Sequence, residues 1–514
     1  MGVGRVVMGL LFFPRGGSAQ VTRYLAVALQ RSGRSVSLVA GSLGSPGEET
    51  DAPTFFGGLP LHHLDYTAAD EAGRAGGDPL AAAAPMHPSY EDRPGAPDVL
   101  LASVAPGRAD HLAAVWEAPF AAAGAAEADV LHLHHLTPQH DATARRWPAV
   151  PVVAHLHGTE IKFLEEVERR IVVAEALGER LATMAGAMAG RSLDVARLDD
   201  AQLVILRTTR WTQWRHGEHW LQHLRTQAAR ADHVVTVSPP DAVTAVSLLG
   251  LPAERVTAIP NGVDTGRFAP RRLSVEERRA CFRRWLVTDP QGWEEGGDPG
   301  SVAYAEADVD RLLGPTGDGV VLVYVGRFTA AKRVPLLVRA FTRARARATR
   351  PLSLLVWGGH PGEWEGEHPV TVARQVAADG VCFAGWRGHE DLPEGLAACD
   401  ALVMPSVNDS FAQTALEAMA AGRPVLAARS GGFPSMINLD PARPTGWLVE
   451  PDDEAALADA LVAVAEQPEE VARRGRHALA HARAELSWDG RVGAFDDVYQ
   501  AAGDHRRRTV PTGL

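Results

Sequence analysis

A chain of 514 residues exceeds one ordinary hydrophobic core, so two or three domains are expected. With 46% apolar and 22% charged residues the mixture is that of a globular protein, and a formal charge of −12 argues against general nucleic-acid affinity while leaving room for a local basic pocket. Cys281, Cys382 and Cys399 share no metal-type spacing and fit a reducing cytoplasm better than a disulfide scaffold.

The chain opens on RVVMGLLFF (5–13), too short to span a membrane and without the longer apolar core of a signal peptide, so it reads as a first buried strand. No other stretch approaches twenty apolar residues, and no transmembrane segment is expected. Further strand candidates in the first half are 35–41, 129–135, 151–158, 233–238 and 255–262; in the second half they are 319–327, 352–359, 381–386, 401–406, 424–432 and 446–451. They are near-continuously apolar and alternate with helical patterns, as strands of parallel sheets covered on both faces do. The pattern predicts α/β architecture: two doubly wound domains facing a central cleft, with ligands outside the carboxyl ends of the strands. Three segments break the repeat. Residues 67–110, rich in Ala, Pro and Gly, read as a long surface loop or flap; 160–230 read as helices inserted between two strands, with Trp211, Trp214 and Trp220 near His216 and His219; and 271–318 lie between the two domains in the chain.

Five motifs carry chemistry. Gly16 and Gly17 follow the first strand and open a helix, where amides can approach an anion; a tight strand-to-helix turn is the alternative. The spacing is not GxGxxG, so the dinucleotide fingerprint of a dehydrogenase is absent. AHLHGTE ends a strand at His157, and LHLHH (131–135) offers His132, His134 and His135; alternating histidines suggest zinc, but no cysteine or acid completes a set, and no metal is assigned. IPNGVD (259–264) reads as a turn whose Asn261-Gly262 pair favours positive φ. In YVGRFTAAKR, Arg327 and Lys332 follow a strand end, a pair suited to a diphosphate or, alternatively, a solvated basic loop. In NDSFAQTALEAMAAGRPV, Asp409, Ser410 and Phe411 stand where a helix start leaves amides unpaired, with Glu417 deeper in that helix. The two acids could hold hydroxyls at two ends of one ligand; alternatively Asp409 is a cap and Glu417 a surface residue.

The order and spacing of these motifs, with GRFTAAKR, DSFAQTALEAMAAGRPVLAARSGG and the tail SWDGRVGAFDDVY, resemble the retaining glycosyltransferases of family 4 (glycosyl transferases group 1), which have the GT-B fold. The resemblance implies an acceptor-side domain over 1–270 with the insertions 67–110 and 160–230, a nucleotide-sugar domain over 271–485, and a crossover helix over 486–502 that returns to the first domain. It implies that Arg327 and Lys332 bind the donor pyrophosphate and that Glu417 takes the ribose hydroxyls. Asp409 stands where the family usually has Glu, beside the transferred sugar, and Ala412 stands where it usually has Gly. Amides near Ser410, Phe411 and Ala412 would support sugar or phosphate. Gly16 and Gly17 would lie near the diphosphate, His157 beside the reacting sugar, and Trp386 and Arg387 by the nucleobase. The implied activity is transfer of a sugar from a UDP- or GDP-sugar to a small soluble acceptor, such as an inositol phosphate, a low-molecular-weight thiol or an antibiotic intermediate, with no obligatory cofactor. A non-catalytic nucleotide-sugar binder and a GT-B phosphorylase or epimerase are the rivals, and a homodimer is left open.

Overall fold

The structure is a computed structural model that describes residues 4–91, 96–190 and 193–509. Contacts divide the chain into two compact units: one takes the chain up to Pro260 and again from Arg491, the other is Asn261–Gly490.

In the first unit the strands are β1 (Arg5–Leu10), β2 (Ser35–Ser42), β3 (Leu61–Asp65), a short pair β4 (Pro88–Ser89) and β5 (Val99–Leu100), then β6 (Val130–His134), β7 (Val152–Leu156), β8 (His233–Thr236) and β9 (Val256–Ala258). Seven of them form one parallel sheet in the order β3-β2-β1-β6-β7-β8-β9. In the second unit β10 (Val320–Gly326), β11 (Leu352–Gly358), β12 (Val381–Gly385), β13 (Ala401–Met404), β14 (Val425–Ala428) and β15 (Gly446–Val449) form a parallel sheet in the order β12-β11-β10-β13-β14-β15. Both sheets wind outward from a first strand, reverse, and wind outward again, the Rossmann-like order that leaves a crevice at the carboxyl ends of the two central strands. These switch points lie between β1 and β6 and between β10 and β13. The apolar runs explain the sheets: β6, β7, β11 and β12 are buried along their whole length.

All twelve strand candidates are present, eleven of them trimmed at their ends and β2 one residue longer than expected. β3 was not expected: Leu61, His62, His63, Leu64 and Asp65 alternate on a half-exposed edge strand and lack the continuous apolar run that flagged the others. The segment 67–110 is not a surface loop. It contains a helix at Thr67–Arg74 and the pair β4–β5, and it places Met86, Tyr90, Leu100, Leu101, Ala102 and Val104 in the first unit's core. Its Pro and Gly content marks irregular backbone, but its widely spaced large apolar residues supply buried area at roughly 25 cal/mol per Å2. The helical segment 160–230 is locked to it: Trp220 Nε1 donates to Val104 O at 2.8 Å, and the His216 amide donates to Ala102 O at 2.9 Å. Trp211, Trp214 and Trp220 are all buried, with Trp214 stacked on Phe163 and covered by the Arg170 guanidinium. They anchor the segment.

Residues 271–318 pack inside the second unit. The Gln291 backbone bridges to Gly385 at the end of β12, and Trp293 Nε1 donates to Gly359 O at 2.7 Å. Gly262 does not take a positive φ. It is glycine because a Cβ there would stand 2.6 Å from the Trp488 ring. The last helix, Trp488–Thr509, runs on into the first unit, where His505 and Arg506 bind the buried Asp232 at 2.9 and 2.6 Å. Among the described residues no helix is long and apolar enough to cross a membrane.

Candidate functional site

In the second unit the switch point collects the charged residues. β10 ends at Gly326, and the chain continues through Arg327 into a helical turn at Ala330–Lys332; β13 ends at Met404, and residues 405–412 lead into the helix Gln413–Ala420. That helix is capped by Ala412 in extended conformation, which has no side-chain oxygen to offer, so its first-turn amides have no side-chain cap. Asp409 is therefore not the cap. Its carboxylate accepts from Lys332 Nζ at 2.6 Å, with both side chains less than a fifth exposed. Partial burial makes such a charge-assisted bond stronger than a surface pair. Arg327 is half-buried beside them, and its carbonyl accepts from the Tyr324 hydroxyl at 2.7 Å. Burial pushes the Tyr324 phenol up, Asp409 adds to this and Arg327 opposes it.

The loop after β14 braces this corner. Asn408, which adopts φ +53, donates its amide to Ser430 Oγ at 3.0 Å, and the Gly432 amide donates to Asp409 O at 2.8 Å. Gly431 sits at φ +58, and a side chain there would overlap the Asp409 carbonyl. Ser410, Phe411 and Ala412 are all buried.

Glu417 is not a surface residue. It is 1% exposed; one oxygen accepts from His389 Nε2 at 2.8 Å, and Oε2 has no protein partner. An acceptor buried in this way calls for a donor from outside the chain. His389, in the loop after β12, was missed: GWRGHEDL contains no motif, and only the demand of a buried carboxylate for a partner could have pointed to it. Trp386 is exposed, with its edge toward the His360 ring. Arg387 is buried, and its guanidinium is bound by Trp285 O at 2.9 Å, by Asp289 O, and by the Asp289 carboxylate at 3.1 Å. It ties the loop after β12 to the segment 285–289.

In the first unit the switch point is lined by glycine and histidine. Gly16 takes φ +80 and caps the helix Gly17–Arg31 without a side-chain bond; the first turn has no acid, and a Cβ on either glycine would meet nothing within 4 Å. The positive helix end is thus open. His157 follows β7, half-buried, its amide donating to Glu160 Oε1 at 3.1 Å and its Nε2 lying 2.9 Å from His134 Nδ1. The parallel register sets His134 opposite His155 and puts His132, His134 and His155 on one sheet face, against Phe495 and Tyr499 of the last helix. His132 bridges Tyr499 Oη at 2.7 Å and His155 Nδ1 at 3.0 Å. Ligand atoms of His132, His134 and His155 lie within 4.8 Å of one another, a set that no single strand displays. Burial holds His132 down to about 3 and, with the neighbouring rings, holds His134, His155 and His157 well below the usual histidine range. Burial would raise Glu160, but His135 and the hydrogen bonds outweigh it, and its pKa is lowered.

The model of Glycosyltransferase Family 4 matches residues 15–267, and that of Glycosyl transferases group 1 matches 319–467. The D-inositol 3-phosphate glycosyltransferase of Streptomyces griseus is 36% identical over 231 residues, 43% of this chain and 47% of that protein, so the chain spans about half the length of this relative. The D-inositol 3-phosphate glycosyltransferase of Stackebrandtia nassauensis is 31% identical over 314 residues, 58% of this chain and 68% of that protein. Anabaena HepE, solved in complex with UDP, superposes with a TM-score of 0.56 at 15% identity, covering 97% of this chain and 100% of that one. Strand order, motif order and these likenesses agree: the chain belongs to glycosyltransferase family 4 and has the GT-B fold.

Proposed function

We propose that this protein is a retaining glycosyltransferase that moves a sugar from a nucleoside-diphosphate sugar to a small hydroxylated acceptor, with an inositol phosphate the first to try. The observation that carries the reading is Glu417: a carboxylate 1% exposed, with one oxygen bound to His389 and the other unpartnered, in the helix whose uncapped start adjoins Lys332 and Asp409. A ribose hydroxyl meets the need of Glu417 Oε2. Arg327, Lys332 and the amides at Phe411, Ala412 and Gln413 suit the diphosphate, which binds where dipole and cation coincide. Asp409 neutralises Lys332 until the donor's phosphates compete for it, and then bonds a hydroxyl of the transferred sugar. Trp386 offers an exposed ring face to the base, and Arg387 acts by bracing that loop. The open helix start at Gly16 and Gly17 and the half-buried His157 give the first unit polar groups for sugar and acceptor.

Chemistry then needs no side-chain nucleophile. The acceptor oxygen bonds to the anomeric carbon on the face from which the phosphate oxygen departs, and the acceptor proton passes to that oxygen. Arg327 and Lys332 stabilise the charge that develops on the leaving diphosphate. The relatives named for D-inositol 3-phosphate favour a cyclitol phosphate acceptor, and HepE with UDP favours a uridine donor. The test incubates the protein with UDP- and GDP-sugars, with and without inositol phosphate, and follows nucleoside diphosphate release and product anomeric configuration. Acceptor-dependent release with retained configuration is expected. Donor binding without release under any acceptor would make the protein a non-catalytic binder; inversion would discard the same-face mechanism.

A further inference from the structure

Two pairs of histidine rings in the first unit bond to each other, His134 with His157 and His132 with His155, and their unpaired atoms determine where the protons are. A neutral imidazole has one N–H and one lone pair. His134 is fully buried; its Nδ1 lies 2.9 Å from His157 Nε2, and its Nε2 has no partner. A proton on that Nε2 would be an orphaned buried donor, which proteins avoid more strictly than an orphaned acceptor. The proton of His134 therefore sits on Nδ1 and is donated to His157 Nε2. His155 repeats the logic: its Nε2 is unpartnered, so Nδ1–H donates to His132 Nε2, and His132 Nδ1–H donates to Tyr499 Oη. Protonating either ring a second time would place a cation among four other imidazoles. The groups facing it are His132, His135, His155, His157 and Tyr499, with Glu160 bound to His135 at 3.3 Å as the nearby anion.

From this geometry we infer that His134 is a positioning residue that fixes His157 as the Nδ1–H tautomer, a permanent hydrogen-bond donor. His157 Nε2 is engaged by the His134 N–H, and its own proton is confined to Nδ1. Such a ring can donate to a sugar or phosphate oxygen but has no lone pair with which to take the acceptor's proton. The catalytic consequence rests on the transferase reading above: the proton released when the acceptor oxygen bonds to the anomeric carbon leaves with the phosphate oxygen whose bond breaks, and His157 does not act as a general base. The tautomer itself does not rest on that reading.

The experiment is long-range proton–nitrogen NMR on full-length protein labelled with nitrogen-15 histidine, with His157 and His134 assigned through His157→Gln and His134→Asn. Both rings are expected to show a protonated Nδ1 and an unprotonated Nε2 at neutral pH. Asn places an amide N–H where the ring Nδ1 stands, so His134→Asn should keep His157 in the Nδ1–H form and keep turnover within about threefold of the parent, the residual cost of a re-formed hydrogen bond. His134→Phe removes the donor; His157 should shift toward Nε2–H, and kcat should fall about tenfold with a smaller change in donor KM. A wild-type His157 protonated on Nε2 overturns the inference, as does a His134→Asn protein whose His157 tautomer matches that of His134→Phe. If His134→Phe fails to fold, the wild-type spectrum alone decides. An Nδ1–H His157 in a protein that transfers no sugar leaves the inference standing and removes the transferase reading.

Discussion

The two units share a strand order but end in opposite chemistry. At the switch point of the second sheet the side chains are ionic, with Lys332 on Asp409, Arg327 beside them and Glu417 held by His389. At the switch point of the first sheet most are neutral, a glycine-lined helix start and a set of imidazoles that burial keeps unprotonated, with the buried Glu160 carboxylate on His135 as the anion beside them. The backbone topology creates a crevice in both, and the residues placed there decide what each can hold. Fixed charges suit a charged diphosphate and its leaving group, whereas neutral donors and acceptors suit hydroxyls.

The contrast can be broken most severely with acid. His87, His140 and His233 are lowered to about 4 and His132 to about 3, all in the first unit, while His368 in the second unit is lowered to about 4. These rings stay neutral in the folded state but titrate near 6.5 when unfolded, so below pH 6.5 the unfolded chain binds more protons. Stability is therefore full above pH 6.5 and declines as pH falls toward 4, by on the order of 3 kcal/mol each for the fully buried His87 and His140 and by less for His233 and His368. Pulse proteolysis after a pH jump from 7 to 5 should cut residues before Pro260 ahead of those in Asn261–Gly490. Simultaneous loss of both units would erase the distinction.

Next in size is Lys332→Ala, expected to reduce turnover by about 10²–10³ by removing charge from the leaving diphosphate, as measured by nucleoside diphosphate release. Turnover within tenfold of the parent would remove Lys332 from the chemistry. Gly431→Ala should destabilise the second unit by about 1–3 kcal/mol, because its φ of +58 and the overlap with the Asp409 carbonyl both resist a side chain. Chemical denaturation measures the loss, and a second-unit transition unchanged within error would show that the loop adjusts freely. The smallest effect is Glu417→Gln, which halves the accepting capacity toward a ribose and should weaken nucleotide binding about tenfold, a difference on the order of 1.4 kcal/mol. Titration with UDP and GDP reads it, and an unchanged Kd would place the ribose elsewhere.

Much of this molecule is legible from residue order. Near-continuous apolar runs located twelve strands, because a strand covered on both faces buries nearly every side chain and is mostly apolar. The edge strand β3 carries no such run because it is covered on one side only, and 67–110 reads as a surface loop because Pro and Gly signal irregular backbone without saying whether that backbone is buried. Gly262 shows the same limit: Asn-Gly suggested a positive φ, but the glycine is needed for the Trp488 ring.

The sequence by itself determined the two parallel sheets, the position of Arg327, Lys332, Asp409 and Glu417 around a strand end and a helix start, and the family. The sheets and that placement follow from local periodicity and spacing, which short-range sterics and hydrophobic burial translate directly into elements, while the family rests on the resemblance of motif order. Only the tertiary structure decided that Lys332 pairs with Asp409, that Glu417 is buried against His389, and that His155 joins His132 and His134 on one face. Those pairings join residues 77, 28 and 23 positions apart. Their distances are set by how whole strands and helices pack, which no local stretch of sequence encodes.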